Sequence, residues 1–308
     1  MSSEPGTSVA ASVPDAVPAA VDTAKSGTVR AVFLDVDGTY ADFGVVPEGH
    51  ARAVRAARDA GHKVFLCTGR PLSMVPDSIQ AAGFDGIVAS AGAYVEVAGE
   101  VLVDLRLPAD LAARMVAVLD SNKAVYILEA TEALYAPESV DGRLRAIIDK
   151  HFSKHPDGPE VGSSAILDAL RTIESSADLA AFPFAKVSVF ESPVPMEQLV
   201  MEIGEGIAVV ANSVADEGRH AGELYRKGLS KADGIAAAID RLGIPREDTI
   251  AVGDGENDLE MIAFAGVGVV IEGSSPALLA LADRTAAPPH KEGLVAAFAE
   301  LGLTPSGT

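Results

Sequence analysis

AVFLDVDGT, residues 31–39, decides how the rest of this chain is read. The apolar run Ala31 to Leu34 leads into Asp35, and Gly38 closes it, which is the pattern of a short buried strand ending in a tight turn. Two carboxylates, Asp35 and Asp37, and the backbone N–H groups near Gly38 then lie at the strand's exit. Open α/β sheets bind their ligands at that edge. Two acids this close make chemical sense if one attacks and the other moves a proton, with a divalent metal damping their repulsion.

Outward from this strand the chain alternates between strands and helices. Pro47 suits a helix start, the helix running to about Ala60 with Gly61 as its stop. Apolar runs follow at Val64 to Cys67 and Gly86 to Ala89, and alternation of this kind implies a parallel sheet. Near Tyr94 the texture changes. YVEVAGEVLVDL (residues 94–105) alternates around Gly99 as a hairpin does. A helix near 108–120, a strand near 124–129 and a Pro/Gly/Lys/His-rich loop around 150–163 come next. Strands near 186–190 and 206–211, with a helix near 195–203, complete what reads as a separate α+β unit. After about Gly222 the first texture returns, with a helix near 231–242 and strand-like runs at 249–253, 267–271 and 284–287. The expected class is therefore α/β. A disordered tail covers 1–27, a parallel-sheet core 28–93 and 223–308, and an inserted cap 94–222.

Composition narrows the partners. The chain of 308 residues carries 24 basic and 44 acidic side chains, a net charge of −20, which argues against nucleic acid or an anionic membrane surface. A phosphate can still bind where a local cation or metal sits. The single cysteine, Cys67, excludes an internal disulfide and fits a reducing compartment. No apolar run approaches the roughly 18 residues that span a bilayer, and the N-terminus lacks a basic n-region, so a cytoplasmic protein is expected. Six histidines show no zinc-ligand spacing, and Cys67 reads as a small buried hydrophobe.

Four segments at the ends of expected core elements carry chemistry. The first is DVDGT. The second is Thr68-Gly69-Arg70, with a hydroxyl, a flexible turn and backbone donors. The third is Lys231, just after the expected N-cap Ser230, with Asp233 placed to complete a capping box. A cation at a helix N-terminus opposes the helix dipole and is better explained if it shares an anion with the free N–H groups. The fourth is GDGEND, Gly253 to Asp258, where Asp254 lies in a turn and Asn257 and Asp258 open the next helix. Singly each has an ordinary reading as a turn, a helix cap or a solvated pair. Their order, at the ends of core elements, does not.

Together the four resemble the motifs of the haloacid dehalogenase (HAD) superfamily, and the chain is identified as a member of its Cof-type phosphatases with a C2B cap. The resemblance implies a Rossmann-like core, with an α/β cap inserted between the second and third motifs, and it covers nearly everything after the tail. It implies that Asp35 is the nucleophile forming an aspartyl-phosphate and that Asp37 is general acid, then base. Thr68 would bind the phosphoryl oxygens with Gly38, Gly69 and Arg70, and Lys231 would neutralise charge on the phosphate and on Asp35. Asp254, Asp35 and the backbone carbonyl of Asp37 would ligate Mg²⁺, Asp258 would support it, and Asn257 would touch the phosphate or position Lys231. Hard carboxylate oxygens suit Mg²⁺, and phosphoryl transfer needs little beyond in-line positioning and charge neutralisation.

Two departures from the family stand out. Ser90-Ala91-Gly92-Ala93 replaces the usual Asn-Gly-Ala/Gly, which bears on substrate choice, and Ala232 replaces a common Gly. The expected function is a Mg²⁺-dependent phosphatase of a small phosphorylated metabolite, sugar phosphates first, acting as a monomer or homodimer. A phosphomutase on the same core is the alternative, and a phosphometabolite-binding module the third reading.

Overall fold

The computed structural model describes residues 27–153, 166–174, 179–210 and 218–304. Its core is an eight-stranded sheet. In chain order the strands are β1 (Ala31–Leu34), β2 (Lys63–Cys67), β3 (Gly86–Ala89), β4 (Tyr94–Val97) and β5 (Glu100–Asp104). The six that follow, β6 (Val125–Glu129), β7 (Leu134–Pro137), β8 (Leu170–Ile173), β9 (Lys186–Glu191), β10 (Ile207–Val210) and β11 (Gly222–Arg226), form a second sheet. β12 (Thr249–Gly253), β13 (Val267–Ile271) and β14 (Arg284–Ala286) return to the first.

The first sheet runs β14-β13-β12-β1-β2-β3-β4-β5, parallel as far as β3 and antiparallel beyond it. β1 is central and wholly buried because both its faces are covered. Val32 and Leu34 pack into the layer of helices Glu48–Asp59 and Gly293–Glu300, while Ala31 and Phe33 pack toward helices Lys231–Leu242 and Leu259–Phe264. The period of two thus sends alternate residues of one strand into two cores. Phe33 stacks on Phe65 of β2 with ring centroids 4.9 Å apart. Gly234 lets the helix at Lys231 close on β3, since a Cβ there would strike the Val88 side chain.

The second sheet, β10-β11-β9-β6-β7-β8, belongs to the cap. Helices Ala109–Ser121 and Met196–Ile203 cover one face through Leu111, Met115, Leu199 and Ile203. Over part of the other face Leu144 and Ile148 of helix Asp141–Ser153 pack on Val125 and Leu134. No helix among the described residues is long and apolar enough to cross a membrane.

The structure moves both cap boundaries. The hairpin at 94–105 extends the core sheet as β4 and β5 instead of opening the cap, because β4 pairs antiparallel with β3. Alternation marks a strand but does not say which edge it joins. At the other end Gly222–Arg226 pairs with β9 and β10, so the cap runs on to Arg226. Where the sequence predicts a loop from residue 150, the helix continues to Ser153. The rest of that loop, from 154 to 163, and the expected tail as far as residue 26 lie outside the described residues.

Candidate active site

The four segments meet at the C-terminal ends of β1, β2 and β12 and the N-terminus of helix Lys231–Leu242. Asp35 is buried at the end of β1, its amide donating to the Val252 carbonyl of β12 at 2.9 Å. Lys231, fully buried, donates from Nζ to Asp35 Oδ1 at 2.6 Å and to Asp258 Oδ1 at 2.5 Å. The other oxygen of Asp258 accepts from the amides of Asp254 and Gly255, both at 2.9 Å. Asp258 therefore fastens the turn after β12 to the lysine. The helix itself starts as expected, with Asp233 accepting from the Ser230 amide and hydroxyl, each at 2.8 Å.

Asp254 accepts from the Thr39 hydroxyl at 2.7 Å. Gly38, at φ +82°, passes so close that a Cβ would overlap the Asp254 carboxylate. Asp37 lies nearer solvent than Asp35, and Arg70 forks it, with Nε on Oδ2 at 2.7 Å and Nη2 on Oδ1 at 2.5 Å. Thr68 is buried and its hydroxyl accepts the Arg70 amide at 3.1 Å. Exposed Asn257 reaches over Gly69. At the departure from the family pattern, Ser90 and Ala91 both take positive φ, 49° and 53°, a conformation that disfavours their side chains. Their amides donate to the carbonyls of Arg70 and Thr68 at 2.8 and 3.1 Å, so this turn braces the second segment through backbone alone.

Electrostatics set these residues apart. Burial, opposed by Lys231 and reinforced by Asp258, Asp254 and Asp37, raises the Asp35 carboxyl well above its ordinary range. Asp254 is pushed up to about 6, chiefly by burial and against the Thr39 hydrogen bond. Burial works against the charge of Lys231, yet Asp258 and Asp35 outweigh it and its pKa is raised. Burial likewise raises the Cys67 thiol, leaving it the inert hydrophobe expected. Oxygens of Asp35, Asp254 and Asp258 lie within 4.8 Å of one another. Hard carboxylate oxygens gathered this closely, with Asp35 and Asp254 held above their ordinary range, are what a small divalent cation relieves, so the residues present fit Mg²⁺.

Above this edge lies a cavity of about 630 Å³ between core and cap. Asp35, Asp37, Thr68, Arg70 and Asp254 form its floor, and Ile127, Glu129, Lys186, Ser188, Phe190 and Glu223 line it from the cap sheet. The sequence places strands near 124–129 and 186–190 in the cap, but it misses the strand of Glu223, which begins at a glycine. It also passes over Thr39 and, from the loop after β1, Asp42 and Phe43, which line the cavity.

A parallel sheet with paired acids at its carboxyl edge, a lysine-bridged acid cluster and a cap over both is the arrangement of a capped α/β enzyme. Comparison with known proteins agrees with that class. The sequence pattern of the haloacid dehalogenase-like hydrolases matches residues 32–298, and the chain belongs to this family. It is 26% identical over 275 residues to 5-amino-6-(5-phospho-D-ribitylamino)uracil phosphatase YitU of Bacillus subtilis, covering 85% of this chain and 94% of that protein. It is 24% identical over 271 residues to phosphoglycolate phosphatase of Methanothermobacter thermautotrophicus, covering 87% and 97%. Among solved structures, the HAD subclass IIB sugar phosphatase BT4131 shares the fold with a TM-score of 0.71 at 23% identity, over 89% of this chain and 100% of that one.

Proposed function

We propose that this chain is a Mg²⁺-dependent phosphatase of small phosphorylated metabolites, with sugar phosphates the leading class. The observation that carries the reading is the second acid. Asp37 stands at the cavity floor beside Asp35, and such an acid fits phosphate-ester chemistry, whereas the dehalogenase and transport-ATPase branches of the family differ at this position. Asp35, Asp254 and Asp258 would hold the ion with the Asp37 carbonyl. When bound, Mg²⁺ supplies charge that draws the phosphoryl oxygens toward Asp35 and screens the acids from each other.

The side chains then divide the work. An Asp35 oxygen attacks phosphorus as the ester P–O bond breaks, and Asp37 gives its proton to the departing alkoxide. Asp37 next takes a proton from water, whose oxygen attacks phosphorus. The acyl-phosphate bond breaks, releasing inorganic phosphate and restoring Asp35. Thr68, Asn257 and the amides around Gly38 and Gly69 hold the phosphoryl oxygens, while Lys231 keeps Asp35 aimed and favours its ionised form. Arg70 holds both oxygens of Asp37 before substrate arrives and must release at least one for proton transfer. The buried, unpaired Cys67 supports a reducing, cytoplasmic setting.

The test is a panel of phosphorylated sugars, sugar acids, nucleotides and cofactors, assayed for free phosphate and for isomers, with Mg²⁺ and with EDTA. Phosphate release that needs Mg²⁺ and is lost in Asp35→Asn is expected. Isomer formation without free phosphate would make the chain a phosphomutase, and turnover in EDTA would remove the metal from the reading.

A further inference from the structure

The cap grips the loop that follows β2, residues 68–75, at three points. Ser73 Oγ donates to the Ala130 carbonyl of the cap at 2.9 Å. The Met74 side chain packs against the cap cluster that includes Ile127, Leu134 and Phe190. Lys186 of β9 makes the third contact. Its Nζ donates to the Gly69 carbonyl at 3.0 Å and to Glu223 Oε2 at 2.8 Å, and lies 3.1 Å from Glu129 Oε2. An ammonium has three N–H donors, and these three acceptors take them all.

What Lys186 holds is the middle of the second motif. Of the three carbonyls of Thr68-Gly69-Arg70, the turn after β3 takes two. The Ala91 amide donates to that of Thr68 at 3.1 Å and the Ser90 amide to that of Arg70 at 2.8 Å. The cap lysine takes the remaining one. The peptide that carries the Gly69 carbonyl also carries the Arg70 amide, which donates to Thr68 Oγ1 at 3.1 Å. One planar unit is thus pinned at both ends, by the cap at its carbonyl and by Thr68 at its N–H. A hydroxyl that accepts from this amide leaves its own proton for an acceptor in the cavity, which Thr68 lines. Were the peptide to turn about Gly69, whose backbone is the least restricted of any residue, the amide would leave Oγ1. Glu129 and Glu223 serve the same end. A buried ion triad adds little net stability, because desolvation offsets the attraction, but it fixes where the ammonium points.

We propose that Lys186 is a positioning residue: from the cap it fixes the Gly69–Arg70 peptide, and through it the Thr68 hydroxyl, so that a seated cap completes the phosphate site. The proposal rests on the phosphatase reading, in which Thr68 holds a phosphoryl oxygen. Lys186 touches neither phosphate nor leaving group. It acts on phosphate affinity through the core loop, and its effect is therefore the same whatever alcohol the phosphate carries.

Calorimetric titration with inorganic phosphate in saturating Mg²⁺ tests this, because phosphate has no leaving group for the cap to recognise. Lys186→Met should weaken phosphate binding about tenfold in the wild-type background, and less than about twofold once Thr68→Val has removed the hydroxyl. An equal loss in both backgrounds, or no loss in the first, overturns the proposal. Should the single variant fail to fold, the neutral triple variant Glu129→Gln, Lys186→Met, Glu223→Gln carries the test, since it leaves no buried charge unpaired. It also removes one net negative charge from the cavity wall. A through-space charge effect would then tighten phosphate binding, whereas loss of the Gly69 contact weakens it, so tightening overturns the proposal. Absence of turnover on every ester, p-nitrophenyl phosphate included, with phosphate affinity still dependent on Lys186 overturns the phosphatase reading and supports the positioning role. Turnover with phosphate affinity indifferent to Lys186 overturns the positioning role alone, and a wild type that binds no phosphate overturns both.

Discussion

Replacing Lys231 with methionine removes the ammonium and keeps most of the stem's packing. The side chain is fully buried, and its Nζ lies 2.6 Å from Asp35 and 2.5 Å from Asp258. Without it three carboxylates share a space 4.8 Å across with no cation. Removing one partner of a buried ion pair costs about 3–5 kcal/mol, because the remaining charge stays buried. In a chain of this size that corresponds to a fall in Tm on the order of 10 °C. The pH dependence has a definite sign. Loss of Lys231 removes the one charge that lowers the Asp35 pKa and so raises it further above an unfolded value of about 4. The resulting penalty is complete above the raised pKa and fades as pH falls toward the unfolded value, since protonation then removes the charge. In EDTA, the deficit of Lys231→Met against wild type should therefore be largest near pH 8 and narrow toward pH 5. Saturating Mg²⁺ should raise the Tm of the variant more than that of the wild type, the ion taking the place of the lost charge. Thermal melts followed by circular dichroism at the two pH values, with EDTA and with Mg²⁺, measure all of this. A variant that melts with the wild type in EDTA, or whose deficit ignores pH, would refute the electrostatic account of the cluster.

Three further expectations follow from named contacts. Arg70→Met frees both oxygens of Asp37 and should reduce kcat about tenfold or more on sugar phosphates but less on p-nitrophenyl phosphate, whose leaving group scarcely needs an acid; equal losses would place Arg70 outside proton transfer. Gly38→Ala drives a Cβ into the Asp254 carboxylate at a positive φ, and should raise the Mg²⁺ concentration for half-maximal activity by about 10–100-fold, read from a metal titration. His50 is buried, accepting the Leu294 amide on Nε2 at 3.2 Å and facing the Tyr40 carbonyl from Nδ1 at 3.0 Å. Burial lowers its pKa despite that carbonyl, so the neutral ring's contribution is whole above the unfolded value of about 6.5 and is lost as pH falls below it. Urea melts at pH 7.5 and 5.5 should show a smaller drop for His50→Gln than for wild type.

Elements with strong local signals are legible from sequence. Helix Lys231–Leu242 and strands β12 and β13 fall where the period and the Gly243 stop put them, Gly243 taking the left-handed C-cap at φ 65°. Strand β7, helix Asp141–Ser153 and β11 escape a reading by pattern. β7 ends in a proline and β11 opens on a glycine and carries Glu223 and Arg226, so neither shows the apolar run that marks β12 and β13. The hairpin of β4 and β5 is legible as a hairpin and misassigned as cap, because its place is set by backbone hydrogen bonds to β3 that no side-chain pattern records.

By itself the sequence determined the alternation of strands and helices, the acids and hydroxyl at the strand ends, and the odd placement of a lysine where the helix dipole opposes it. Those are properties of residues within a few positions of one another, and periodicity and turn chemistry expose them. Only the tertiary structure decided which distant charges meet. Lys231 stands 196 residues from Asp35, and Lys186 stands 117 residues from the Gly69 carbonyl it touches. The identity of a charged residue says that it needs a partner once buried, and burial is a property of the packed layers, not of the local chain. The same holds for the cap face, where one alternation places Glu129, Lys186 and Glu223 over the cavity and its neighbours in the core, a choice made by which side of the sheet the helices cover.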